Sequence, residues 1–273
     1  MDQSYAGPSS VHAGAAPRAG EGVGPGPLDK LRRLIAPERS DQADAQLAVA
    51  LCFVAGMTNA GGFLVVGQYT SHMSGMVSAL ADNLVLGALG LVAAGIGALA
   101  AFLAGAACSA ILINWGRRRQ NASLYALPLS LEATLLLAFG VLGDLRTHIP
   151  HFLGVAVPLL CFIMGLQNAI ITKLSRARIR TTHMTGMVTD IGIELGKMLY
   201  WNRSRPEAEA VRADVAKLRL LATLVGTFFV GGVVGALGFK VIGFSVTVPL
   251  ALLLLMLAIV PLVDDLRRNG GGA

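Results

Sequence analysis

The sequence predicts an all-α, polytopic membrane bundle of about six transmembrane helices, arranged as two inverted three-span repeats. Each repeat is expected to carry a short broken or re-entrant half-helix. Three observations lead there. The first is composition: 54% of the 273 residues are hydrophobic and 14% are charged, and mean hydropathy is +0.65. Soluble domains hold about 45–50% apolar and about 25% charged residues. The second is blocking. Residues 47–66, 84–115, 124–142, 152–172, 218–239 and 244–263 are nearly free of charge, and a helix needs roughly 20 such residues to cross a bilayer core. The third is an internal duplication. Together they exclude a soluble enzyme, a secreted disulfide scaffold and a nucleic-acid module.

In chain order, residues 1–43 open with a Gly/Pro-rich stretch that cannot bury enough surface to offset its ordering entropy, so the sequence predicts disorder there. Leu28, Leu31, Leu34 and Ile35 then recur at helical spacing beside Lys30, Arg32 and Arg33. Such a basic amphipathic turn either lies on a membrane surface or is a solvated tether. No apolar core of a cleavable signal is visible in residues 1–27. Membrane repeat 1 is expected over 44–143, repeat 2 over 150–263, and a cytoplasmic tail over 264–273. Cys52, Cys108 and Cys161 fall inside apolar blocks, where a thiol acts as a small hydrophobe, and their spacing suggests neither disulfides nor zinc.

The duplication reads in three marks. Leu51-Cys-Phe-Val-Ala-Gly-Met-Thr-Asn-Ala60 matches Leu160-Cys-Phe-Ile-Met-Gly-Leu-Gln-Asn-Ala169. Ser71-His-Met-Ser-Gly-Met-Val77 matches Thr182-His-Met-Thr-Gly-Met-Val188, and a weaker echo pairs Phe102 to Ser109 with Phe229 to Ala236. The seam falls near 143–150. The net charge of +6 comes from Lys and Arg grouped at block ends, as the positive-inside bias demands. Groups at 30–39, 117–119, 173–180, 203–219 and 267–268 all fall on one side only if segments 75–88 and 186–200 do not fully cross. Both termini are then cytoplasmic, in the cell membrane. Three spans per repeat make the second copy upside down relative to the first, an arrangement recurrent among transporters.

The polar segments between spans carry the chemistry. Gly67-Gln-Tyr-Thr-Ser-His-Met-Ser-Gly75 and Arg180-Thr-Thr-His-Met-Thr-Gly186 are each followed by a helix too short to span, since about 14 residues reach roughly 20 Å. An irregular hairpin and a half-helix beginning near Gly75 or Gly186 are expected. Non-helical backbone at membrane depth survives only inside protein or beside water. The N–H groups of a helix start favour an anion or a carbonyl oxygen.

Three readings of His72 and His183 compete. Each imidazole is bonded within a packing element, or both face a central cavity to bind a solute or relay protons. In the third, His72, Met73 and Met76 join His183, Met184 and Met187 as soft ligands for copper(I) or silver, although Met is also plain apolar filling. Asp190, Glu194 and Lys197 share a helix face, where Glu194 can pair with Lys197. That face is expected in cytoplasmic water, with a cavity-lining role as the sharper alternative. Glu132 sits alone in an apolar block and must be paired, neutral or beside water. Asn59 and Asn168, with Gln167 beside the latter, occupy matched positions, for interhelical hydrogen bonding or for a shared binding site. Gly56, Gly61, Gly105, Gly231, Gly232 and Gly235 permit close helix contact.

No Walker loop, nucleophile elbow, His-Glu-x-x-His or dinucleotide fingerprint occurs. Ser71 and His72 do not make a hydrolase, since adjacent residues rarely face each other and no orienting acid is identifiable. The sequence therefore predicts a non-enzymatic protein without cofactor or resident metal. Its expected partners are the lipid bilayer and a small solute moved through a site between the repeats, and oligomerisation is compatible with the sequence. The alternatives are a non-transporting scaffold or sensor and soft-metal handling.

At Gly56-Met-Thr-Asn-Ala60, Thr70-Ser-His-Met-Ser-Gly75, Met164-Gly-Leu-Gln-Asn-Ala169 and Thr182-His-Met-Thr-Gly-Met-Val188 the chain resembles the YoaK family, bacterial integral membrane proteins with a domain of unknown function. The resemblance covers roughly residues 45–263 and implies a multi-span plasma-membrane protein without implying an activity. The family commonly carries Asn after the Ser/Thr-Gly pair, where this chain has Met76 and Met187.

Overall fold

The computed structural model of the chain describes residues 41–119, 124–174, 184–200 and 211–270. The N-terminal tail, its basic segment at 28–35 and His183 lie outside them. The described residues form eight α-helices and two short 3-10 turns, with no strand among them. The helices are α1 (Asp41–Val66), α2 (Met73–Val85), α3 (Leu89–Arg118), α4 (Ala126–Asp144), α5 (Phe152–Leu174), α6 (Met184–Leu199), α7 (Val215–Ile242) and α8 (Thr247–Gly270).

Among the described residues, five stretches are long and apolar enough to cross a membrane: Ala45–Val66, Leu89–Arg118, Ala126–Asp144, Phe152–Lys173 and Val215–Ile259. The last is 45 residues long, about 68 Å as one helix, far beyond a hydrocarbon core of about 30 Å. It is not one rod. Gly243 adopts φ +62, a left-handed conformation that glycine enters without a Cβ penalty. The 3-10 turn Gly243–Val246 then folds the chain back, so that Val246 lies against Gly238.

Glycine also sets where α3 begins. The apolar block starts at residue 84, but Gly87 at φ +70 separates α2 from α3, and the long helix starts at Leu89. At the other end of the chain α8 continues through Gly270, well into the expected tail.

Helices from the first half find their main partners in the second. α1 packs on α7, α3 on α5, and α4 on α8, while α2 lies along α3 and α6 along α7. Glycines make the first two crossings close. A Cβ at Gly56 would collide with the Phe228 carbonyl, and one at Gly231 with the Phe53 carbonyl. A Cβ at Gly165 would collide with the Phe102 carbonyl, and one at Gly105 with that of Phe162. These contacts correspond one for one. Gly56 to Gly165 and Phe53 to Phe162 are both steps of 109 residues, and Phe102 to Phe228 and Gly105 to Gly231 are both steps of 126. The equivalent of Phe102 is thus Phe228, one residue before the position the sequence echo suggests. Backbones this near allow Cα–H···O contacts as well as dispersion.

Phe53, Met57 and Gly61 on α1 meet Gly231, Gly235 and Phe239 on α7 in rising order, so these two helices run parallel. α1 and α5 run antiparallel: Gln167 donates to the Leu51 carbonyl at 3.5 Å, and Gly62 meets Leu160. The main core joins Leu47, Leu51, Leu129, Ile163, Leu166, Ile170, Leu224 and Leu254. A second cluster closes one end of the bundle around Val66, Phe139, Leu160 and Phe244. There Phe244 meets the rings of Phe139, Phe152 and Phe239 edge-on, at centroid distances of 5.6, 6.4 and 6.0 Å.

Candidate functional site

After Val66 the chain does not proceed straight to the next long helix. Gly67 turns at φ +74, Tyr69 stacks on Phe63 at 4.5 Å, and Ser71 Oγ donates to Asn59 Oδ1 at 2.8 Å. Asn59 lies seven residues before the end of α1, so the hairpin re-enters the bundle by about 10 Å. Folded back there, Ser71 and His72 border the cavity and Thr70 is buried, while Gln68 is exposed.

His72 ends this hairpin at φ −91 and ψ 72, and α2 starts directly after it at Met73. The expected start near Gly75 lies two residues further on. The reason is steric: the His72 ring folds over Gly75, where any Cβ would strike its Cδ2. Gly75 is therefore a seat for the imidazole inside the helix rather than its first residue. α6 likewise begins at Met184, directly after His183 in the sequence.

A cavity of about 1400 Å³ lies between these elements. Asn59 and Ala60 of α1 line it, with Asn168, Ala169, Thr172 and Lys173 of α5. The hairpin and α2 contribute Tyr69, Ser71, His72, Met73 and Ser74, and α6 contributes Met184, Thr185, Gly186, Thr189 and Asp190. Phe102 and Ala106 of α3 form part of the wall, and Val225, Phe228, Phe229, Gly232, Val233 and Ala236 of α7 another part. The duplicated positions thus meet in one space: Asn59 with Asn168, Ala60 with Ala169, Met73 with Met184, Ser74 with Thr185.

Of the residues singled out in the sequence, His72, Met73, Asn59, Asn168, Met184, Gly186 and Asp190 line the cavity. Gly75 stands one residue behind it, supporting His72. Gln167, Glu132 and Glu194 do not line it. Gln167 is buried with Oε1 lacking a partner among the described residues, and its amide reaches α1 as described above. Asn168 Nδ2 donates to the Met164 carbonyl one turn back at 2.9 Å. Glu132 is 1% exposed, and its Oε2 lacks a hydrogen-bond partner among the described residues.

The charged face of α6 is divided. The side chains of Asp190 and Lys197 stay 43% and 37% exposed, whereas Glu194, expected in water with them, is only 1% exposed. It ties α6 to the start of α7: the Asp214 N–H donates to Oε2 at 2.9 Å, and Lys197 Nζ donates to Oε1 at 3.0 Å. Lys217 Nζ lies 3.8 Å from the same oxygen. The Asp214 N–H foremost, then the Lys197 hydrogen bond, hold this carboxyl below its usual range against the opposing effect of burial. Asp214 in turn caps α7, its Oδ1 accepting from the Lys217 N–H at 2.9 Å. Asp190 pairs with Lys217 Nζ at 3.2 Å.

The sequence alone marks neither Lys173, which reads there as a basic helix end, nor the ring pair Phe102 and Phe228 as cavity wall. The Phe-to-Ser109 echo was the signal available for the rings. Among the described residues no three His, Cys, Asp or Glu side chains are grouped to hold a metal ion. The soft donors lining the cavity there are His72, Met73 and Met184.

The apolar helices, the re-entrant hairpin and the inter-helix cavity define a multi-span helical membrane protein. The chain belongs to the family described as "Protein of unknown function (DUF1275)", whose model matches residues 47–260. It is similar to the UPF0700 transmembrane protein YoaK of Bacillus subtilis (strain 168), with 25% identity over 188 residues, 68% of this chain and 80% of that protein. No solved structure matches it.

Proposed function

We propose that this protein moves a small solute across the cell membrane through the cavity between two inverted three-span repeats. The observation that carries the reading is the cavity itself, lined by the matched residues Asn59 and Asn168, Met73 and Met184, and Ser74 and Thr185. A site at the junction of two repeats, built partly from interrupted helices, is the arrangement alternating access requires. A scaffold in which these elements only pack has no use for so large a space, mostly apolar and set with a few polar groups at matched positions.

Six crossings and cytoplasmic termini belong to the same reading. The reversal at Gly243–Val246 supports counting α7 and α8 separately. The aromatic cluster supports the alternation, because it gathers the ends of α1, α4 and α7 with the starts of α5 and α8. The basic ends of α3 and α5 then face the cytoplasm, as the positive-inside bias prefers. The transport mechanism is a rocking of one half against the other around His72 and His183, with Asn59 and Asn168 as polar contacts.

An uptake screen in proteoliposomes tests it. Flux of at least one solute class is expected, reduced about tenfold or more by His72→Ala or His183→Ala while the purified variants keep their Tm. Absence of flux across amino acids, organic acids, sugars, polyamines and metal ions, with no effect of either variant in cells, overturns the reading.

A further inference from the structure

We infer that the cavity takes an organic anion with an apolar, ring-sized body, its negative charge facing Lys173 and its body lying against Phe102 and Phe228. The inference rests on the cavity being a ligand site, as proposed above, and concerns what that site selects.

The charges lining the cavity are unequal. Lys173 borders it and makes no ion pair among the described residues. Asp190, the carboxylate that lines it, is already paired with Lys217, which does not. A cation entering would have to compete with Lys217 for Asp190, whereas an anion meets an ammonium that has no ion pair among the described residues. The neutral groups lean the same way. Asn59 is 8% exposed, and its carbonyl oxygen is occupied by Ser71. Asn59 lines the cavity, and with its oxygen engaged by Ser71 its amide is better placed to donate than to accept. α2 and α6 both begin at the cavity, with Met73, Ser74, Met184 and Thr185 in its lining. Each helix start brings the positive end of its dipole, although at α2 the Met73 N–H is itself taken by the Ser71 carbonyl at 3.2 Å. An ammonium with no ion pair among the described residues and two helix starts make the site electropositive.

The rest of the lining sets the body. Three phenyl rings and two methionines border the cavity, and thioethers and rings both take flat apolar groups well. Ligand sites span about 300–1,000 Å³, so a volume of about 1400 Å³ holds an aryl acid with its water. An inorganic anion such as phosphate or chloride would leave the rings unused.

The test compares isosteric probes on the purified full-length protein in detergent: 3-phenylpropionate, 3-phenylpropanamide and 3-phenylpropylammonium, read by calorimetric titration and by Tm. The carboxylate is expected to bind at least tenfold more tightly than the amide, and the ammonium least. That preference should weaken as salt is added. Lys173→Met should cost the carboxylate about tenfold, the worth of one charge-assisted hydrogen bond, and Lys173→Arg should restore it. Equal binding of the three probes, a preference for the ammonium, or no binding of any overturns the inference. So does unchanged carboxylate affinity in a folded Lys173→Met protein. The probe series in the unaltered chain decides the matter if that variant does not fold. Binding in detergent is independent of flux. Anion binding without transport leaves this inference standing and removes the proposed function, and transport of a cation does the reverse.

Discussion

At the scale of single residues, Gly75 and Glu194 carry the sharpest consequences. The imidazole of His72 rests where a side chain at Gly75 would be, so Gly75→Ala must push the ring out of its seat while leaving a good helix former in α2. Solute flux should fall toward that of His72→Ala, and Tm should drop by the equivalent of about 1–3 kcal/mol of overpacking. Flux and thermal unfolding measured on the same preparation separate the two effects. For Glu194 the sign follows from its partners. Its folded-state carboxyl titrates below the ordinary value, so the link it makes between α6 and α7 is fully present above about pH 4.3, the unfolded value. The link is lost as pH falls through the lowered folded value. Glu194→Gln should lower Tm at neutral pH and flatten the loss of stability on acidification. A pH series of melting curves for both proteins reads this directly.

Residue by residue, the sequence was legible where chemistry repeats. Two asparagines at matched positions are a strong pattern, and both line the cavity. Glu194 was not legible as a buried group, because the partner that matters most is a backbone N–H twenty positions away in a segment with no pattern of its own. Lys173 was hidden differently: a lysine at a helix end reads as a topology marker, and only the positions of α6 and α7 turn it into cavity wall.

At the scale of elements, the glycine crossings hold the bundle together. Gly56, Gly231, Gly165 and Gly105 each face a carbonyl of the partner helix, so Gly56→Leu and Gly165→Leu should destabilise to a similar degree, by several kcal/mol, because backbone cannot yield as a side chain can. Gly154→Leu, with open space around it, should be close to neutral. Chemical unfolding of the three variants in one detergent makes the comparison. The apolar blocks announced the long helices, but helix starts shifted from 84 to 89 and from 244 to 247. In both places a left-handed glycine, invisible to a hydropathy count, decides where the helix begins.

At the scale of the whole molecule, single-cysteine labelling in intact cells tests the six-crossing reading. In a background lacking Cys52, Cys108 and Cys161, Arg118→Cys and Val215→Cys should react only once the inner face is exposed, and Tyr69→Cys should react through the cavity or the outer face. Reaction of Arg118→Cys from outside would require α2 and α6 to cross fully and eight spans to result. Composition could establish the membrane class alone, since no soluble core needs so many uncharged residues in blocks. The partner exchange between halves, α1 with α7 and α3 with α5, could not be read from one dimension. It depends on which glycines face which carbonyls, and the echo that hinted at it was out of register by one residue.

The knot of Phe139, Phe152, Phe239 and Phe244 has a further consequence for movement. Five helix ends are pinned at that pole by interlocking rings, and a dense aromatic contact gives little before it breaks. Opening toward the opposite end therefore behaves like a pair of tongs with its rivet there, small near the rivet and wide at the far tips, while opening at this pole requires the rings to part. In the state closed at this pole, spin labels at Ala45 and Val215 should report a spread of distances, whereas labels at Val66 and Ser245 should report a single narrow one.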